Sequence, residues 1–378
     1  MPTGAWVFVL VLPLLVALQL VPLPSSVWSG LPLRGLLANA LHAVDEPLPS
    51  WPLSIDPAST WWSLLSLAPP VAAFIMAFTI GREKVPALLL AIAGLAVFSG
   101  LLEAAQALLG DFFYIHPRSI EAGPSGLFAN QNSQATFLVI GILALATLAL
   151  FDKKLHRYRP LLVAAAVFLA LCVVMTRSRA GTVLLLVPIF YVAAVAFART
   201  PRKRNWLIGS ALTAVALPIL IIGALQIERI NKLAERFSDL SSGRAEEIWP
   251  DALYLAQEAW PWGMGVGTFR HSFELVERLE VVDQSTANRA HVDWLEFVIE
   301  AGLPGVLLMI AALLAIAWSL WSKRKRIGLN GAFGMGVLLV IALHSSVDYP
   351  LRAISLAVLA SIAMALILSD GTHLEKRK

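Results

Sequence analysis

Ten apolar runs, each close to the length that crosses a bilayer, leave this chain few folds to choose from. A helix needs about 20 largely apolar residues to span the hydrocarbon core. The runs stand at roughly 4–23, 59–80, 85–107, 131–151, 160–176, 181–198, 206–226, 303–321, 330–347 and 353–369. Inside lipid a backbone must satisfy its own polar groups, so runs of this kind are expected as helices. The composition agrees: 58% apolar and 14% charged residues depart from soluble domains in both respects. The fold class read from these features is all-α, a polytopic membrane protein of about ten transmembrane helices. The first run lacks a basic leader and an A-x-A cleavage site, and it exceeds a signal-peptide core, so it reads as a retained span. The single cysteine, Cys172, lies in an apolar run and permits neither an internal disulfide nor a thiolate metal cluster.

Orientation follows from the basic residues flanking the spans. One set of connections carries 17 of the 29 Lys and Arg residues against four acids, and the opposite set carries 12 against 21. The basic set is expected in the cytoplasm with both termini, and the opposite set outside. Three parts result: residues 1–227 hold helices one to seven with outer loops at 24–58 and 108–130; residues 228–303 form a large outer loop with amphipathic helices; residues 304–378 hold helices eight to ten and a cytoplasmic tail. Tryptophans Trp28, Trp51, Trp61 and Trp62 in and beside the first outer loop suit an interfacial belt.

The outer connections also hold the candidate functional groups. Arg177 and Arg179 share a short turn, TRSRAG, where the charge bias disfavours cations. Two guanidinium forks suit a diphosphate; snorkelling to lipid headgroups is the plainer account. Arg244 precedes apolar positions from Ile248 to Ala259 that recur at helical spacing, as in an amphipathic helix on the outer leaflet. A cation in a first turn opposes the helix dipole, which argues against a structural purpose there. The GMGVG run at 263–267 follows no strand and lacks a Lys-Ser/Thr pair, so it is not read as a nucleotide loop.

His291 is the sharpest candidate, because Asp293, Glu296 and Glu300 follow at spacings that share a helical face. An imidazole beside a carboxylate at a membrane–water boundary can act as general base on a hydroxyl. The bland alternative is a partly exposed histidine at a helix start. His271 reads as surface, and no spacing is diagnostic of a metal site. Asn130 and Asn132 open the fourth span while Glu103 and Gln106 close the third; they either satisfy neighbouring helices or line a cavity. Asp348 and Arg352 are expected to pair with each other across one turn.

Taken in order, these segments resemble the O-antigen ligase and polymerase superfamily of bacterial membrane glycosyltransferases. The match rests on Ala290-His291 with Asp293, Leu295 and the EAGLPG run at 300–305, which carries Gly302 and Gly305 in a Gly-x-x-Gly pattern. Ser178-Arg179-Ala180-Gly181, Gly243-Arg244 with Trp249, the PWGMGVGTF run at 261–269 and the GLFANQN run at 126–132 add to it. The HSSVD segment at 344–348 and LSIDP at 53–57 look like the exopolysaccharide branch.

The resemblance implies a GT-C-like multi-spanning fold in the bacterial inner membrane with its active site on the periplasmic side. It also implies an undecaprenyl-diphosphate-linked glycan donor, no metal, no nucleotide and no cofactor. The family's two essential arginines fall on Arg179 and Arg244 as diphosphate binders, with Arg177 beside them, and its histidine falls on His291 as base for the acceptor hydroxyl. Asp293, Glu296, Glu300, Asn130, Asn132 and Asp348 are then supporting residues. Val292 stands where the ligase pattern has Asn, Ser or Gln, which tilts the expectation toward a polymerase of O-antigen or exopolysaccharide repeat units. A ligase joining the glycan to a lipid A core is the alternative. A transporter of lipid-linked sugars is the rival of another class, disfavoured because no internal repeat appears and the charges gather at the outer boundary.

Overall fold

The fourth apolar run is the one the others pack around. In the computed structural model, which describes residues 3–116, 123–199, 248–280, 282, 287–323 and 328–369, it is helix α7, Gln131–Phe151. A helix that is apolar all round belongs inside a bundle, and α7 is buried almost continuously from Ser133 to Leu148. Its neighbours are α6 (Val85–Leu109), α8 (Arg159–Met175), α14 (Leu329–His344) and the pair α9 (Arg179–Leu184) and α10 (Leu186–Arg199). A second layer joins α15 (Ile354–Ser369) to α14 and to α5 (Ala68–Thr79). Helices α1 (Thr3–Leu18) and α4 (Pro57–Ser66) pack on each other. The first outer loop contributes short helices α2 (Ser25–Trp28) and α3 (Gly35–Ala43), and a two-residue ribbon in which β1 (Pro22–Leu23) pairs antiparallel with β2 (Trp51–Pro52).

Among the described residues, five helical stretches are long and apolar enough to cross a membrane: Pro57–Thr79, Arg82–Leu109, Gln131–Phe151, Lys153–Met175 and Asp293–Ser322. Shorter apolar helices stand at Val9–Leu18, Arg179–Val195, Leu329–His344 and Ile354–Ser369. Nine of the ten expected spans therefore fall on apolar helices, and the tenth, 206–226, lies outside the described residues. The outward faces carry large apolar side chains, such as Leu95, Phe98 and Leu101 on α6 and Leu161, Val167 and Leu171 on α8. In water such a surface would aggregate; in lipid it is the solvated state. The protein is a helical membrane protein.

The described part of the expected 228–303 loop is not all loop. It holds α11 (Trp249–Glu258) and α12 (Phe269–Phe273), and then α13, Asp293–Lys323, which begins ten residues before the span expected at 303. The amphipathic helix expected from residue 245 is α11, with Asp251, Ala252 and Leu255 buried and Leu253 and Tyr254 exposed.

Helix α13 is broken at Gly302, where φ is 56° and ψ is −154°. Pro304 has no N–H to give the Glu300 carbonyl four residues back, so the break leaves backbone groups open. The 261–265 segment fills them. Met264 N–H donates to the Ile299 carbonyl at 3.0 Å, Gly265 N–H to the Glu300 carbonyl at 3.0 Å, and Leu303 N–H to the Pro261 carbonyl at 2.8 Å. Gln19, just past α1, donates to the same Glu300 carbonyl at 3.0 Å and accepts from Val266 N–H at 2.9 Å. The GMGVG run is thus a backbone patch on a broken helix.

Above the break, Glu296 and Glu300 are fully buried. Arg352 Nη2 reaches Glu296 Oε1 at 2.8 Å and Glu300 Oε2 at 2.6 Å, and Arg289 Nη1 reaches Glu296 Oε1 at 2.8 Å. Arg352 does not pair with Asp348 as expected: it turns to the two buried carboxylates of α13, which need a counter-charge beyond the one Arg289 gives Glu296. Burial disfavours the Arg352 charge, but Glu300 and Glu296 outweigh it and hold its ionisation above the ordinary arginine range.

Two outcomes test this scaffold. A Cβ at Gly302 would stand 2.3 Å from the Pro261 carbonyl oxygen on a left-handed backbone, so Gly302→Ala is expected to cost about 2–4 kcal/mol. The readout is a lower unfolding temperature in detergent, and an unchanged one would refute the patch. Arg352→Ala strands the buried Glu300 carboxylate and leaves Glu296 with Arg289 alone, and is expected to cost about 3–5 kcal/mol. Glu300→Gln in that background should recover part of the loss.

Candidate active site

The outer end of α7 and the start of α13 meet at a polar cleft. Asn130 is the N-cap of α7, its Oδ1 accepting from the Asn132 N–H at 2.7 Å and the Ser133 N–H at 3.4 Å. An asparagine there satisfies donors that the first helical turn leaves open. The segment leading into it is clamped by Gln106, whose Oε1 accepts from the N–H groups of Ser125 (2.9 Å) and Gly126 (2.8 Å) while its Nε2 donates to the Gly126 carbonyl at 2.9 Å. Glu103 accepts from Gln134 Nε2 at 2.9 Å. Glu103 and Gln106 therefore serve neighbouring segments.

His291 sits at the other wall with φ of 56°. A non-glycine residue in that region is uncommon, though histidine is among those enriched there, and it holds only where its flanks are fixed. Both flanks are. Trp249 Nε1 donates to the Ala290 carbonyl at 3.1 Å, Ala290 N–H to Glu296 Oε2 at 3.2 Å, and Asp293 N–H to the Ser345 carbonyl at 3.0 Å.

The carboxylate facing His291 is Asp348. Nδ1 lies 3.4 Å from Asp348 Oδ1. Asp293, Glu296 and Glu300, which the helical spacing put beside the histidine, are all engaged elsewhere. Asp293 Oδ2 accepts from Ser345 Oγ at 2.8 Å and from Leu351 N–H at 3.1 Å, which anchors the turn that carries Asp348. The other two hold Arg352. The correction has a simple cause: spacing along one helix cannot see a carboxylate 57 residues away.

Asp348 is itself held from α7 and α14. Asn132 Nδ2 donates to Oδ2 at 2.5 Å, and His344 Nε2 stands 3.6 Å from it. Burial pushes the carboxyl up, but the contacts with His291, His344 and Asn132 more than reverse this, and its ionisation falls well below the usual carboxylate range. An ionised acceptor at Nδ1 favours the tautomer that keeps the proton there and leaves Nε2 basic. Tyr349 completes the wall, its ring 5.1 Å from that of His291 and its hydroxyl 3.4 Å from Asn130 Nδ2. The cleft they share with Ala129, Gln131 and Asn132 measures about 180 Å³.

Arg177 and Arg179 do not line this cleft. Arg179 opens α9 behind the N-cap Ser178, whose Oγ accepts from the Gly181 N–H at 3.0 Å. A Cβ on Gly181 would fall 2.3 Å from Ala135 Cβ, so only glycine lets α9 lie against the first turn of α7. Arg179 is thereby brought to the same end of α7 as Asn132. Arg177 is exposed, with φ of 58°, within electrostatic reach of Tyr114. Arg244 lies outside the described residues. His271 is half exposed as expected, yet its Nδ1 pairs with Asp56 Oδ2 at 3.1 Å, a contact its own neighbourhood in sequence does not announce. Among the described residues, no three His, Cys, Asp or Glu side chains gather closely enough to hold a metal ion. Sequence reasoning missed His344, Thr136 and Tyr349; the i, i+4 spacing of His344 and Asp348 at a helix end was the available signal.

No curated protein matches the chain. A family model described as O-Antigen ligase matches residues 164–310, a segment that includes Arg177, Arg179, His291 and the Gly302 break. This match supports a place in the O-antigen ligase/polymerase superfamily.

Proposed function

We propose that this protein is a glycosyltransferase that moves an undecaprenyl-diphosphate-linked glycan onto an acceptor sugar hydroxyl at the periplasmic face of the inner membrane. The observation that carries the reading is the pair formed by His291 Nδ1 and the buried Asp348 carboxylate, 3.4 Å apart, on the wall of a polar cleft. In this reading His291 Nε2 takes the proton of the acceptor hydroxyl as its oxygen attacks the anomeric carbon. The bond from that carbon to the diphosphate oxygen breaks, a glycosidic bond forms, and the polyprenyl diphosphate leaves with the bonding pair. Asp348 orients the ring and offsets the imidazolium that results, as carboxylates do beside histidine bases. Arg179 and Arg244 balance the charge on the leaving diphosphate, which preorganised cations stabilise most where charge develops.

Val292 and the HSSVD segment favour a polymerase of repeat units. The family description favours the ligase reading, with a lipid A core as acceptor. The acceptor decides between them. Purified protein in nanodiscs, given only polyprenyl-diphosphate-linked repeat units, is expected to yield a ladder of longer glycans that a chelator leaves unchanged. Product that forms only when lipid A core is added would make it a ligase, and no product with any acceptor would sink the transferase reading. His291→Ala is expected to abolish the ladder, and Asp348→Asn to lower its rate by about 10²-fold or more. Arg179→Ala should weaken use of the donor.

A further inference from the structure

Behind the cleft lies a second histidine that the reading above leaves unused. His344, the last residue of α14, is 1% exposed, and its Nε2 makes no hydrogen bond within normal reach. The nearest charge is Asp348 Oδ2 at 3.6 Å. On the other side of the ring, Nδ1 lies 2.5 Å from Thr136 Oγ1, and that oxygen is also 3.0 Å from the Asn132 carbonyl. A buried imidazole with one nitrogen idle is costly unless the charge beside it gives that nitrogen work.

The proton positions follow from these contacts. If Thr136 donates to the Asn132 carbonyl, its oxygen accepts from His344 Nδ1–H, and a neutral ring would turn a lone pair toward the Asp348 carboxylate; only a ring protonated at both nitrogens suits the site. If Thr136 donates to Nδ1 instead, the ring proton is on Nε2. Both arrangements present an N–H to Asp348.

We infer that His344 is a positioning residue for the proposed transfer: a buried imidazole that holds one oxygen of Asp348 so that the other faces His291. The chain of contacts runs Thr136–His344–Asp348–His291 and joins α7, α14, the 345–352 turn and the head of α13. Asn132 donates to the inner oxygen and His344 Nε2 stands 3.6 Å from it, while among the described residues Oδ1 meets the base. The inference rests on His291 being the base. Its consequence is electrostatic. Asp348 offsets the charge that His291 gains on taking a proton, and an N–H from His344 competes for the same carboxylate. The other charged or titratable groups around this pair include Tyr349, whose ring is 5.1 Å from that of His291, and Asp293 and Arg352 behind the turn; Arg179 stands on α9, which also packs on α14, and α15 carries no charged residue where it meets α14.

Two variants test it, alongside His291→Ala. His344→Gln can still offer an N–H near the Nε2 position, whereas His344→Leu fills the space and offers none. The measurement is the pH profile of kcat and KM with the polyprenyl-diphosphate-linked substrate, on preparations shown to be monodisperse. For His344→Leu, kcat is expected to fall at least about 10-fold with KM for the donor unchanged, and the acid limb of kcat/KM to move to higher pH, because Asp348 then acts on His291 undiminished. His344→Gln is expected to lie between it and the parent protein. If both variants keep the parental acid limb and lose activity equally, His344 only fills space and the inference falls. If His291→Ala retains activity, the base assignment fails first, which is a separate result.

Discussion

The polar cleft and the segments around it depend on the backbone groups released where α13 breaks. A carbonyl without a donor is expensive at the edge of an apolar bundle. Gly302 and Pro304 release the carbonyls of Ile299 and Glu300, and these become the fixed points to which the 261–265 segment and Gln19 attach. The same half of α13 buries Glu296 and Glu300, and their need for a counter-charge draws in Arg352. Arg352 ends the turn that carries Asp348, while His291 stands two residues before the helix begins. One interruption in one helix thus bears on both members of the pair at the cleft.

Helix α7 supplies the other wall, and it does so by being two things along its length. Its body is apolar on every side and lies against five other helices. Its first turn is Asn-Gln-Asn-Ser-Gln, and each of Asn130, Asn132 and Gln134 holds a different partner: its own helix start, Asp348, and Glu103. Polar residues at the end of a buried helix are tolerated because each is satisfied across to another element. The precision of the cleft comes from that satisfaction, since a glutamine clamp and a capping asparagine fix backbone as well as side chain.

The sequence made the helices legible because apolar runs answer to a local demand that lipid imposes on every span. It singled out His291 as well, through its place before a membrane helix and its resemblance to a family motif, and the structure sets that residue on the cleft wall. What it hid were the partners. Three carboxylates at helical spacing after His291 looked like its neighbours, and they are buried against Arg289, Arg352, Ser345 and Leu351 instead. The span was expected from 303, and the buried charge network lets α13 begin ten residues earlier, at Asp293. Asp348 and Arg352 stand four apart and looked like a pair; the competing carboxylates lie about fifty residues upstream and no window of sequence contains both. Arg244, read from its motif, falls outside the described residues.

The volume of the cleft has a consequence for length. Sites that enclose drug-sized molecules run to some 300–1,000 Å³, and this one offers about 180 Å³ between Asn130, His291 and Tyr349. On the proposed reading, that is room for a single terminal ring of the acceptor, with the rest of the glycan outside. A catalyst that feels only the last sugar has no ruler: it treats a short acceptor and a long one alike, and the distribution of product sizes is then set by how long each chain stays bound and by what else in the envelope competes for its end.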